Sequence, residues 1–128
     1  MRLLLDTHVL LWWHDQPGRL TEAAYGAISD PGNDVFLSVV NGWEIQIKAQ
    51  LDKLTLPKPL RVLFQEEQAT NGFGLLPVTL EHVYTLDSLP LHHRDPFDRL
   101  LIAQAHREGL TLVTHDPKFA AYSVSLLW

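Results

Sequence analysis

Four acidic residues, Asp6, Glu44, Asp98 and Asp116, occupy positions that suit chemistry better than simple solvation. Asp98 follows Arg94-Asp95-Pro96-Phe97, and the residues three, four and seven places further on are Leu101, Ile102 and Ala105, so its carboxylate falls on the core-facing line of a helix. Glu44 shares a helical line with Val40 and Ile47. Asp6 ends the apolar run Leu3-Leu4-Leu5, and Asp116 comes just after Val113-Thr114. Each has an ordinary explanation. Asp98 can bond back to the start of its helix, Lys48 can pair with Glu44 one turn away, and Asp6 and Asp116 can cap helices or shape turns.

Taken together they point elsewhere. Four ionised carboxylates in one place repel one another, and such a cluster is tolerable only when protons or cations neutralise it. Hard divalent cations with a preference for oxygen, Mg²⁺ or Mn²⁺, are the natural occupants. One or two such ions activate a water and stabilise the leaving oxygen of a phosphodiester, so the chemistry is metal-dependent phosphoryl hydrolysis.

Other chemistries find little support. The seven histidines include no HExxH or comparable ligand spacing, and His92-His93 are adjacent, which argues against a zinc site. His115 and His93, beside the acidic motifs, suit substrate contacts better. The chain has no cysteine, no glycine-rich phosphate loop and no nucleophile elbow. Phosphatases that form an aspartyl-phosphate use a second aspartate two residues after the first, where this chain has His8.

The elements that must position these acids alternate between strands and helices. Residues 2–5 read as a strand buried on both faces, followed by a helix over 7–13 and, capped by Thr21, a helix over 22–29. A strand at 35–37 leads through Ser38, as cap, into a helix whose Val40, Trp43, Ile47 and Leu51 should face the core. A helix over 60–70, with Glu66-Glu67 on its wet side, ends at Asn71-Gly72. Then come a strand at 75–78, with Pro77 suggesting a sheet edge, a short helix after Thr79, the Asp95-capped helix 96–108 closed by Gly109, and a strand at 111–114. Asp116 caps a last short helix reaching Ala121, and 124–127 read as a final strand. This alternation predicts an α/β fold, a three-layer α/β/α sandwich with a mainly parallel central sheet.

At 128 residues, with 46% hydrophobic and 20% charged, the chain reads as one globular domain over 1–128. Its net charge is -5, so no broad basic surface advertises nucleic-acid binding, and any nucleic-acid substrate must be held by local basic residues or metal ions. Asp6 and His8 interrupt the opening apolar run before any cleavage site, no stretch reaches the ~20 apolar residues of a membrane span, and a cytoplasmic location is expected.

The sequence resembles the PIN domain, and most closely the small VapC-type toxins of prokaryotic toxin–antitoxin pairs. The resemblance covers essentially the whole chain through Leu5-Asp6-Thr7, Ser38 to Lys48 around Trp43-Glu44-Ile45, Arg94 to Ala105, and Val113 to Pro117, in that order. It implies a three-layer PIN-like fold and a Mg²⁺- or Mn²⁺-dependent endoribonuclease whose catalytic and metal-binding acids map onto Asp6, Glu44, Asp98 and Asp116. Asp95 joins them as a metal candidate in the Asp-Pro-Phe-Asp branch, although as a cap it is the weaker choice beside Asp98. The resemblance also implies an RNA substrate, a cognate antitoxin whose basic tail residue enters the acidic cleft, and a homodimer. Thr7 and Ser38 are candidates to orient carboxylates. Arg94, Arg99 and Lys118 flank the acids and suit either phosphate contacts or solvated charge. Trp12, Trp13 and Trp43 suit core packing first and base stacking second.

Two other readings stand beside this one. The same acids would serve a nuclease of RNA processing or DNA metabolism, and a non-catalytic PIN-like binding module should have lost one of them. Here all four are present.

Overall fold

In a computed structural model, which describes all 128 residues, the chain runs β1 (Arg2–Leu5), α1 (Thr7–Asp15), α2 (Glu22–Ser29), β2 (Asp34–Ser38), α3 (Val39–Gln50), α4 (Leu60–Asn71), β3 (Gly74–Leu76), α5 (Leu80–Thr85), α6 (Pro96–Glu108), β4 (Thr111–Val113) and β5 (Leu126–Leu127). The strands form one sheet in the order β3-β2-β1-β4-β5, and every pairing is parallel. Leu3 of β1 is in register with Val35 of β2 on one side and Thr111 of β4 on the other.

The apolar strands follow from burial on both faces. Leu3 and Leu5 pack with Val9 and Leu10 of α1, Ala24 and Ile28 of α2, and Leu63 of α4. Leu4 faces the opposite way, against Leu101, Ile102 and Ala105 of α6. The three-layer α/β/α sandwich expected from the alternation is therefore the fold. No helix is long and apolar enough to cross a membrane.

Caps set most helix starts. Asp6, Thr21, Ser38, Thr79 and Asp95 each accept a backbone N–H of the helix that follows, and Gly72 and Gly109 end α4 and α6 at φ of 67° and 65°. β3 is an edge strand that starts one residue before the expected 75–78 and ends two residues sooner, with Pro77 just beyond it. Gly74 is required there, because a Cβ would stand 2.8 Å from the ring of Phe36, its neighbour in register.

Three expectations need correction. In α3 the buried residues are Val40, Asn41, Glu44 and Ile45, while Trp43 and Leu51 are exposed; the helix is rotated by about one residue from the expected stripe, and Asn41 Nδ2 bonds inward to Leu5 O and Thr7 Oγ1. Of the Glu66-Glu67 pair in α4, Glu66 alone is wet. Glu67 is 5% exposed and accepts from Trp13 Nε1 at 2.9 Å and Asn71 Nδ2 at 2.8 Å, with His14 Nδ1 at 2.8 Å. The tryptophans are not buried either: Trp12 and Trp13 are half-buried and Trp43 is 51% exposed, because the leucines of the strands already fill the interior.

Candidate active site

The chain leaves β1 for β2 and β3 on one side of the sheet and returns to β4 and β5 on the other, so the carboxyl ends of β1 and β4 flank the point where strand order reverses. Parallel α/β sheets place their sites there, because the loops diverge and open a crevice. Asp6 lies at the end of β1. Its Oδ1 accepts from Thr7 N at 2.7 Å, and its Oδ2 accepts from Thr114 Oγ1 at 2.8 Å. Thr114 Oγ1 in turn accepts from Asp116 N at 3.1 Å, so one hydroxyl ties the two strand ends together. Burial raises the Asp6 carboxyl above the ordinary range, against the bonds from Thr114 and Thr7 and the charge of His8, while Glu44 pushes the same way as burial.

Glu44 reaches the site from α3. Its Oε2 pairs with Lys48 Nζ, as the helical spacing allowed, but its Oε1 is buried without a hydrogen-bond partner. Burial pulls the Lys48 ammonium down, yet the bond and charge of Glu44, with the charges of Asp95 and Asp98, carry it above its usual value.

Asp98 is not part of a capping box. Asp95 Oδ1 alone caps α6, accepting from Phe97 N at 2.9 Å and Asp98 N at 3.1 Å. The Asp98 carboxyl is pushed up to about 8, first by burial and then by the charges of Asp95, Asp6, Glu44 and Asp116. Five acids from four parts of the chain thus share one electrostatic field. Asp116, half-buried, spends Oδ1 on the N–H of Lys118.

The other sequence candidates lie as follows. Thr7 Oγ1 accepts from Asn41 Nδ2 at 3.0 Å, and Ser38 Oγ accepts from Val40 N and donates to Gln104 Oε1; neither hydroxyl touches a carboxylate of the cluster. Ser38 Oγ caps a helix start, where unsatisfied backbone N–H donors lie nearest, and Thr7 Oγ1 is taken by the Asn41 side-chain amide. Arg99 is neither a free charge nor open to phosphate. Its guanidinium donates to the carbonyls of Pro90, Leu86 and Leu89 and to Tyr122 Oη, bracing the loop that leads to Asp95. Arg94, Lys118 and His115 are exposed. Both ring nitrogens of His93 are buried without partners, and its ring meets Phe119 and Tyr122 edge-on, so it packs rather than contacts substrate.

Sequence reasoning missed Thr114 and Asn41. Asn41 has a legible signal, three residues past Ser38 as in a capping box, and it also donates to Leu5 O at 3.1 Å. Thr114 has none, since a threonine at a strand end is ordinary.

The donor set fits a hard cation. It offers only oxygen ligands, a buried and unpartnered Glu44 Oε1, and an Asp98 whose charge lacks compensation. As the side chains stand, no three His, Asp or Glu groups form a site that could hold a metal ion. Lys48 holds one oxygen of Glu44, and caps and threonine bonds occupy Asp6, Asp95 and Asp116 on at least one oxygen each.

Comparison with known proteins agrees with this fold. The PIN domain profile matches residues 3–124. Ribonuclease VapC22 of Mycobacterium tuberculosis (strain ATCC 25618 / H37Rv) is 31% identical over 121 residues, covering 94% of this chain and 91% of that protein. In fold, the chain is similar to a chain of VapBC2 from Rickettsia felis, solved bound to a promoter DNA fragment, with a TM-score of 0.75 and 16% identity over 99% of this chain and 98% of that one. It is also similar to a chain of FitAcB from Neisseria gonorrhoeae, with a TM-score of 0.64 and 20% identity over 98% and 96% of the two chains.

Proposed function

The chain belongs to the PIN domain family, and from that premise we propose that it is a Mg²⁺- or Mn²⁺-dependent endoribonuclease and the toxin of a toxin–antitoxin pair. The observation that carries the reading is Glu44 Oε1, a buried carboxylate oxygen with no partner in the same field as the high-pKa Asp98. A buried carboxylate oxygen calls for a partner, and a cation held with the other acids supplies one. Asp6, Glu44, Asp98 and Asp116 are the residues that would hold the cation, with Asp95 beside them.

When bound there, the ion supplies Lewis acidity towards a water and a phosphodiester oxygen. The protein's own part is positional. Thr7 and Thr114 fix both oxygens of Asp6, so that carboxylate faces the site in one orientation. Lys48 steadies Glu44 while leaving its second oxygen available. Arg99 braces the loop that presents Asp95 and the start of α6. Proton and cation compete for Asp98, so occupancy by the ion gains as pH rises.

An acidic cluster on a chain of net charge -5 suits inhibition by an Arg or Lys from a basic partner segment, which supports an antitoxin as the regulator. The similarity to VapC22 and to chains of VapBC and FitAcB assemblies supports the same pairing, and homodimerisation belongs to this reading.

The test is cleavage of a structured RNA pool by purified protein, wild type beside Asp98→Asn, in Mg²⁺, Mn²⁺ or EDTA. Cutting that needs the metal and disappears in the variant is expected. Equal cutting by both proteins, or none by the wild type with metal present, would overturn the nuclease reading. Growth arrest on induction, relieved by a small neighbouring gene, tests the toxin role.

A further inference from the structure

Rings accompany the acids along the chain. His8 lies two residues past Asp6, Trp43 precedes Glu44, Phe97 precedes Asp98, and His115 precedes Asp116. In space they form two groups. Trp12 of α1 meets His115 edge-on with ring centres 4.8 Å apart, and has Trp128 at 6.1 Å and His8 at 5.9 Å; His115 and Trp128 are 5.6 Å apart. Trp43 of α3 meets Phe97 of α6 edge-on at 4.8 Å.

Most of these rings lie at the surface, while Trp12 is half-buried and Phe97, also half-buried, packs against the core beside α6. Trp43 is 51% exposed and Trp128 37%, and His8 and His115 are exposed as well. Aromatic surface left in water forgoes the free energy that burial would return, so a cluster of it beside a polar site points to a ligand with flat apolar faces.

Free positive charge is limited here. Lys48 is paired with Glu44, Arg99 is bound to backbone carbonyls, and the guanidinium of Arg19 lies over the Trp12 ring at 4.7 Å, which leaves exposed Arg94 and Lys118 beside the acids. Two exposed side chains on an acidic chain give a polyanion's phosphates a modest hold, and contacts to its bases add to it. Each nucleobase has a π-face, and stacking on an aromatic side chain strengthens binding by about tenfold or more per base. The Arg19 guanidinium extends the Trp12 group with a second planar surface.

We propose that the Trp12–His115–Trp128 group and the Trp43–Phe97 pair are two base-stacking surfaces that hold the nucleobases flanking the phosphodiester presented to the acids. This rests on the ribonuclease reading and adds the residues that position the substrate. Ring faces reach only bases that are out of a helix, so these surfaces select unpaired nucleotides.

The experiment uses full-length protein carrying Asp98→Asn, with Mg²⁺, and reads tryptophan fluorescence as randomised unpaired RNA of about ten nucleotides, or the same length as duplex, is added. Unpaired RNA should quench the fluorescence, and duplex should bind about tenfold more weakly. Trp43→Leu and Trp12→Leu should each weaken binding by about tenfold, and Trp43→Phe should restore most of it. In the cleaving protein the same changes should raise KM and leave kcat in place. If Trp12→Leu does not fold, His115→Ala decides for that group.

Unchanged RNA affinity in the leucine variants overturns the proposal and assigns the rings to a protein partner instead. Equal affinity for duplex and unpaired RNA overturns it too. Wild-type cleavage is scored in parallel, so metal-dependent cutting with unaltered binding removes this inference alone, whereas quenching without cutting removes the nuclease reading alone.

Discussion

Thr114 Oγ1 donates to Asp6 Oδ2 across 2.8 Å, joining residues 108 positions apart and fixing the end of β4 to the end of β1. The same oxygen accepts the N–H of Asp116. Thr114→Val keeps the shape and removes the hydroxyl, leaving a buried carboxylate oxygen without its donor. That should destabilise the fold by about 1–3 kcal/mol and cut RNA cleavage by about tenfold or more. Thr114→Ser should restore both, as read from denaturation midpoints and initial rates.

The raised pKa of Asp98 makes the metal-free protein sensitive to pH. Its folded value of about 8 lies above the ordinary carboxyl value of 3.8, so between them the native chain holds a proton that the unfolded chain has released. Stability from this group is full below pH 3.8 and declines as pH rises towards 8. Urea midpoints in EDTA should therefore fall across that window in the wild type and much less in Asp98→Asn. Adding Mg²⁺ or Mn²⁺ should raise the wild-type midpoint and leave the variant nearly unmoved, because a ligand that binds only the native state stabilises it.

Lys48 supplies the sole hydrogen-bond partner of Glu44, on Oε2. Lys48→Met retains much of the apolar stem and leaves a buried carboxylate unpaired. We expect a loss of about 1–2 kcal/mol in EDTA, given that Lys48 is partly exposed, narrowing when Mn²⁺ is added. A gap of the same size with and without metal would show that Glu44 does not face the cation.

Glu67 is a buried acid with a purely structural expectation. It gathers the Trp13 indole, His14 and Asn71, and thereby binds α1 to α4 away from the acidic cluster. Glu67→Ala strands those donors and should cost about 3 kcal/mol in denaturation, with kcat for RNA unchanged below the melting transition.

Local chemistry made much of this protein legible. The apolar run at 2–5 reads as a strand covered on both faces, Asp95-Pro96 reads as a helix start and Gly109 as its end, because propensity, capping and backbone hydrogen bonding act within a few residues. The alternation of such elements dictated the parallel sandwich, and the order of the acids pointed to the site. What those rules do not specify is helix rotation. One residue of offset in α3 moved Trp43 from the expected core to solvent and kept Glu44 inside.

The sequence by itself thus determined the elements, their order and the acids at their ends. The Lys48–Glu44 pair was legible from helical spacing; tertiary structure alone decided that Thr114 reaches Asp6, that the second oxygen of Glu44 is buried without a partner, that Arg99 braces a loop, and that Glu67 is drawn inward. The reason is physical. A strand or cap is fixed by groups a few bonds apart, whereas hydrogen bonds between distant residues, and the burial that shifts a carboxyl's proton affinity, exist only once the layers have packed.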